Sequence, residues 1–204
     1  MSLTPRERAR RRAKLLKEVI EDLDAIRALR LFNPSRALRN LSELGLEGDL
    51  WKELREALTR IALIPSRDKS YPRLKRIDSI SDAMFIASFA SMVGALILVL
   101  LNYEPLISYF ALLLSLIALN ISYLLKFYVS VKLRGIYLSN SSIVKAHGEL
   151  LKRATDSLIS RLRGELKKAG VDARQVKFNL YNSDYSGLVV VEAKRGVYKM
   201  RLRE

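Results

Sequence analysis

AMFIASFASMVGALILVLL (83–101) and LISYFALLLSLIALNISYLL (106–125) are two apolar runs without a single Lys, Arg, Asp or Glu, separated only by Asn102-Tyr103-Glu104-Pro105. Each is about the length needed to cross a hydrocarbon core of roughly 30 Å as an α-helix. Core helices of water-soluble folds keep a polar face at helical spacing, and neither run has one. The pair therefore predicts an α-helical integral membrane protein built on a transmembrane hairpin over 83–125. A cleaved leader is not expected, because the first run begins some eighty residues in and the second follows at once.

The flanking charges orient the hairpin. Lys69, Arg73, Lys75 and Arg76 precede it, Lys126, Lys132 and Arg134 follow it, and the turn carries only Glu104. Cationic residues beside membrane helices stay on the cytoplasmic side, so both termini are expected in the cytoplasm, with the cell membrane crossed twice.

The formal net charge is +15, and residues 1–82 (net +6) and 126–204 (net +10) are both basic. Positive-inside bias and an anionic leaflet account for this, at about 1 kcal/mol per basic residue near the surface. A polyanion such as RNA or DNA is the alternative. Without cysteine there is no disulfide framework, thiolate nucleophile or cysteine-ligated metal site. One His and one Gln amid many Arg, Lys, Glu and Leu lean towards a heat-adapted protein.

Residues 1–65 read as a cytoplasmic helical bundle. Thr4-Pro5-Arg6-Glu7 has the form of a capping box. A helix is expected to about Phe32, with Leu16, Val19, Ile20, Leu23, Ile26 and Leu29 as its buried stripe. Arg6, Arg8, Arg10, Arg11, Arg12 and Lys14 surround its first turns, which are expected to stay out of any core and to meet solvent or phosphates. Asn33-Pro34 breaks the helix and starts a second one, which carries Leu38, Leu41 and Leu44 inward and stops at Gly45. Asp49 is expected to cap a third, bearing Leu50, Leu54, Ala57, Leu58 and Ile61, with Trp51 as a packing residue at the edge of the stripe. Residues 66–82 read as a polar juxtamembrane connection with Lys75 and Arg76 at headgroup depth. Residues 126–142 read as a helix extension that ends in Ser139-Asn140-Ser141-Ser142.

Residues 143–204 change period and predict a cytoplasmic α+β domain. One helix runs from Ile143 to about Gly170. Val176, Phe178 and Leu180, then Leu188–Ala193, then Tyr198, Met200 and Leu202 read as a three-stranded antiparallel meander whose last turn is Lys194-Arg195-Gly196. The central strand is expected to be 188–193, with Val189 and Val191 needing cover from the N-terminal helices or from a second subunit.

Within the hairpin, Ala83, Ala87, Ser91 and Ala95 recur every four residues. Ser108, Ala111, Ser115, Ala118 and Ser122 recur at alternating threes and fours. The two rows predict facing seams of small residues, with Asn120 as structural glue. On the sheet, Lys177, Asn179, Tyr181, Lys199 and Arg201 share a face on which single-stranded nucleic acid could be clamped and stacked. His147 has no second histidine and reads as structural.

Asp184 followed by Leu188-Val-Val-Val-Glu192-Ala193-Lys194 resembles the D…E-x-K signature of restriction-endonuclease-like nucleases. The resemblance implies that Asp184 and Glu192 hold Mg²⁺ and that Lys194 assists attack on a phosphodiester. It covers about 50 residues, and the chain given ends at Glu204, before the helix and strand that follow in that family. The reading preferred is a charged turn flanking an apolar strand. Function is accordingly expected to be that of a non-enzymatic membrane anchor or scaffold, without a cofactor, whose basic parts bind anionic headgroups and a protein partner or a second copy. A membrane-tethered nucleic-acid or ribosome-binding module is the alternative.

Overall fold

The computed structural model describes residues 4–31, 33–101 and 103–203; Phe32, Asn102 and Glu204, at which three of the expected boundaries fall, lie outside them. The chain is mostly helical: α1 (Pro5–Arg27), α2 (Ser35–Leu44), α3 (Asp49–Ala62), α4 (Tyr71–Leu100), α5 (Pro105–Ser139), α6 (Ser141–Ala146) and α7 (Gly148–Ala169) precede β1 (Lys177–Leu180), β2 (Leu188–Lys194) and β3 (Val197–Leu202). Two compact units result, residues 1–64 with 138–204, and residues 65–137. The two terminal segments, legible separately in the sequence, thus close into one unit.

The capping box forms as expected: the Glu7 N–H donates to the Thr4 hydroxyl oxygen at 3.2 Å and the Thr4 N–H to the Glu7 carboxylate at 2.8 Å. The other end differs. α1 stops at Arg27, because Leu29 takes a left-handed φ of 54° while the Leu29 N–H donates to the Ile26 carbonyl and the Arg30 N–H to the Ala25 carbonyl. This is a Schellman closure with leucine where glycine is usual. The break comes before Asn33-Pro34, where the Asn33 side chain still accepts from the Ser35 N–H at 3.0 Å.

α1 and α7 run antiparallel and form the largest helix contact of their unit. Arg27 and Lys152 converge on Asp184 at one end, and Ala13 lies beside Leu162, Leu166 and Ala169 at the other. The expectation that the first turns of α1 stay unpacked is therefore wrong. Ala9 and Ala13 are buried, and their small side chains let α7 approach between the arginines. Leu16, Val19, Ile20, Leu23 and Ile26 meet Leu151, Leu158, Ile159 and Leu162 in the core, with α2 and α3 contributing Leu41, Leu54, Leu58 and Ile61. Leu38 is only half-buried, while Ala37 and Asn40 turn inward.

Three further boundaries shift. Gly48, at φ 114°, precedes α3, so Asp49 is its first residue and makes no side-chain cap. The expected polar connection 66–82 is mostly helix, since α4 begins at Tyr71 with Pro72 in its first turn. The single helix expected from Ile143 to Gly170 is two, divided at His147, and α7 ends at Gly170 with φ 66°.

The sheet is antiparallel but not a meander: its order is β1-β3-β2. β2 and β3 pair through the turn at Arg195 (φ 52°) and Gly196 (φ 76°), both left-handed as a two-residue hairpin requires. Residues 181–187 are too long for such a turn and are bonded to α1 and α7, so β1 pairs with the free side of β3. The expected central strand is thus an edge, with a bulge at Val191, and Val189, Val190 and Val191 are 39%, 41% and 62% exposed. Phe178, Leu180, Leu188, Met200 and Leu202 form its buried face.

Gly187 sits where β2 meets α7: a Cβ there would lie 2.6 Å from Ile159 Cγ2. Gly187→Ala should destabilise the protein by about 1–3 kcal/mol through overpacking. In thermal unfolding of the full chain in mild detergent, the loss should shrink when combined with Ile159→Ala, and additive losses would show that the contact is not the cause.

Candidate functional site

The hairpin is built on a repeat of seven. On α4 the buried positions are Leu74, Ser81, Ser88 and Ala95; on α5 they include Ser108, Ser115, Ser122, Val129 and Ile136. A strict seven-residue spacing is the seam of a left-handed helix pair. The Ser81 hydroxyl donates to the Ser122 carbonyl at 2.7 Å, and the Ser115 hydroxyl lies 2.9 Å from that of Ser91. Phe85 stacks edge-on against Tyr123 at 5.7 Å, and Lys126 pairs with Asp78 and Asp82.

The row expected on α5 is the one observed, with Ser108, Ser115 and Ser122 buried and Ala111 and Ala118 half-buried. The row expected on α4 is met in part. Ala95 belongs to the seam, and Ala87 and Ser91 lie at its edge, where Ser91 reaches Ser115 and both border a groove shared with Ala118, but Ala83, Ala87 and Ser91 are themselves exposed. The four-residue rule followed one stripe of small residues, while the contact follows the heptad through Ser81 and Ser88. Asn120 does not glue the helices either: it is exposed, and its amide donates to the Leu116 carbonyl of its own helix at 2.8 Å.

Basic residues surround the end of the α1–α7 pair. Arg6, Arg8, Arg10, Arg11, Arg12 and Lys14 are exposed, although Arg11 pairs with Glu43 and Arg12 donates to the Leu44 carbonyl at 3.3 Å. Arg161 lies over the Trp51 ring at 5.2 Å, and Trp51 is buried as a packing residue. Lys75 and Arg76 are exposed on the first turns of α4.

The open face of the sheet brings together four of the five residues expected there. Lys177 stands opposite Arg201, Asn179 opposite Lys199, and all four are exposed. Lys199 is paired with Glu192 at 2.6 Å. Tyr181 is not offered for stacking: it lies beyond the end of β1, half-buried, with the Arg30 guanidinium 5.7 Å from its ring. The nuclease-like carboxylates engage different cations, Asp184 those of Arg27 and Lys152, and Glu192 that of Lys199.

The densest polar cluster was not legible in the sequence. Asp24 is fully buried and accepts from the N–H groups of Tyr181 and Asn182, the Asn182 amide at 2.8 Å and the Tyr185 hydroxyl at 2.8 Å. Next to it Arg27 grips Asp184 with two bonds of 2.6 Å, and Lys152 adds a third cationic contact at 3.1 Å. The hydrogen bonds from Arg27 hold the Asp184 carboxyl well below the usual carboxylate range, and that pairing raises the Arg27 guanidinium in turn. Burial, reinforced by Asp24, pushes the Tyr185 phenol up. With its acceptors occupied by donors from the same unit, the cluster fixes residues 181–187 against α1 and α7. Its members are far apart in sequence, which is why no local pattern announces them.

Compared with models of known protein families, with curated proteins and with solved structures, the chain matches none.

Asp24→Ala would strand four donors, and should lower stability by about 3–5 kcal/mol; Tyr185→Phe, which removes one, should cost about 1–2 kcal/mol. Asp184 gives a pH signature. Because its carboxyl is depressed in the folded state, its contribution is complete above the unfolded value near 4 and is lost as pH falls through the lower folded value. Asp184→Asn should therefore lower Tm equally at pH 7 and pH 5, with the difference from the parent protein closing well below pH 4.

Proposed function

We propose that this chain is a non-enzymatic two-span membrane anchor, with both termini cytoplasmic, which presents a basic α+β unit to the anionic leaflet and to a protein partner. The observation that carries the reading is the inside-out construction of the hairpin. Phe85, Ile86, Phe89, Leu96, Ile97, Phe110, Leu113 and Ile117 point outward, while serines close the inside. In the most apolar 18-residue window of each helix only 11% of residues are buried. A core helix of a water-soluble fold would show the reverse, and so large an apolar exterior is compatible with lipid.

The charge distribution supports the orientation. Lys75, Arg76, Lys126, Lys132 and Arg134 flank the apolar stretch at the ends that continue into the terminal unit, and the far turn offers Glu104 alone. The exposed arginines of α1 and the open sheet face are suited to headgroup phosphates as surface charges. One observation favours a second reading, a nucleic-acid-binding module: Lys177 and Arg201 stand directly opposite each other across the sheet, a pairing of like charges that an intervening anion would relieve.

Two measurements separate these readings. Single cysteines at Ser2, Asn102 and Ser183 should show labelling by an impermeant thiol reagent on intact cells at Asn102 alone; labelling at Ser2 or Ser183 would overturn the orientation. At one near-physiological ionic strength, the detergent-solubilised protein should bind anionic nanodiscs and lose affinity on combined Arg6→Ala, Arg8→Ala and Arg10→Ala, with weaker binding to single-stranded RNA. The opposite order of affinities would favour the nucleic-acid module.

A further inference from the structure

The two flanks of α4 differ. With Ser88 facing α5, a helical repeat of about 100° per residue places Ala83, Ala87, Ser91 and Gly94 together on one flank, and Phe85, Phe89 and Leu96 together on the other. All seven are exposed. The small flank runs at four-residue intervals from Ala83 to Ser91, the spacing that lets two helix backbones approach closely.

A second observation lies in the seam itself. Ser88 is only 6% exposed, yet among the described residues its hydroxyl has no hydrogen-bond partner, whereas those of Ser81, Ser108, Ser115 and Ser122 all donate. Ser88 opens instead onto a groove of about 270 Å³, lined also by Ala87, Ser91, Leu114, Ser115 and Ala118. In hydrocarbon an unpaired hydroxyl is costly, and this one lies beside the stripe on which another helix would fit.

We propose that the small flank of α4 is a homodimer contact, in which α4 of one copy packs against α4 of a second copy and the Ser88 hydroxyl finds its acceptor across that interface. The inference rests on the membrane reading, which also supplies the occupant. Insertion gives every copy the same direction, so a two-fold axis along the membrane normal brings identical helices together in parallel. A flat stripe of small side chains fits its own image; a ridge of Phe85, Phe89 and Leu96 does not. The groove is also continuous with the α4–α5 seam, because Ser88 and Ser115 belong to both.

The chain has no cysteine, so full-length single-cysteine variants in native membranes report the contact directly. Under mild oxidation Ala87→Cys and Gly94→Cys should give disulfide-linked dimers, and Phe89→Cys and Leu96→Cys should remain monomeric. A Cβ at Gly94 meets nothing within 4 Å in its own chain, so Gly94→Leu should convert dimer to monomer in light scattering while leaving the helical content unchanged, with Tm falling only as far as loss of the subunit contact requires. Absence of links from the small flank, equal links from both flanks, or links from Asn120→Cys instead would overturn the proposal. Alkaline washing of the same membranes tests the underlying reading. A chain retained but not linked refutes only the interface, and a chain released refutes both.

Discussion

The unit formed by the two terminal segments depends on the antiparallel contact of α1 with α7. Five apolar residues of α1, Leu16, Val19, Ile20, Leu23 and Ile26, are almost completely buried, and each contributes on the order of 1.5–3 kcal/mol. Exposed pairs such as Arg11–Glu43 contribute at most about 1 kcal/mol. Apolar burial therefore decides that the ends of the chain close on one another, and the charges around the contact decide only what its surface attracts. Ala9 and Ala13 extend the contact into the arginine-rich turns, so the most basic part of α1 is helix with one face buried.

The buried Asp24 carboxylate then determines the sheet. A charge taken out of water is tolerated only where donors replace its hydration, and Asp24 recruits its donors from residues that follow β1. Once 181–187 is fastened there, β2 cannot fold back beside β1, and the hairpin of β2 and β3 docks with β3 inward. Two carboxylates of α1 also protect one edge of the sheet. Glu21 and Asp24 accept from the Asn179 and Tyr181 N–H groups that β1 would otherwise leave open. At the other edge, β2 is limited by its bulge at Val191 and by the charges of Glu192 and Lys194.

Much of this was legible where the determinant is local. The capping box at Thr4, the left-handed glycines at 45 and 170, the hairpin turn at Arg195-Gly196 and the alternation of β1 are decided by a few neighbouring residues, and they appear where the sequence places them. The end of α1 was missed because Leu29 adopts a conformation that glycine usually marks. The strand order was missed because it is imposed by Asp24, some 160 residues away. The α4 row was misjudged for a different reason: two periodicities coexist on that helix, and small residues at intervals of four describe its flank while Ser81, Ser88 and Ala95 at intervals of seven describe its contact. Of the basic residues singled out, the arginines of α1 and the Lys177, Lys199 and Arg201 face are exposed as read, since net charge on short polar segments rarely finds a buried partner, but Tyr181 had its ring already occupied by Arg30.

The two units of the chain distribute their apolar side chains in opposite ways. In residues 1–64 and 138–204, apolar side chains are removed from water, and charge is left outside. Along α4 and α5 the apolar side chains remain outside, and no hydrophobic force draws the two helices together if their surroundings are equally apolar. Close contact and hydroxyl bonds must then supply the attraction, which explains why the seam is written in serine where a water-soluble coiled coil would use leucine. Serine is small enough for the backbones to approach and carries one donor that must be satisfied. Ser81 and Ser122 show both properties at one position, where the hydroxyl of one helix reaches the backbone of the other.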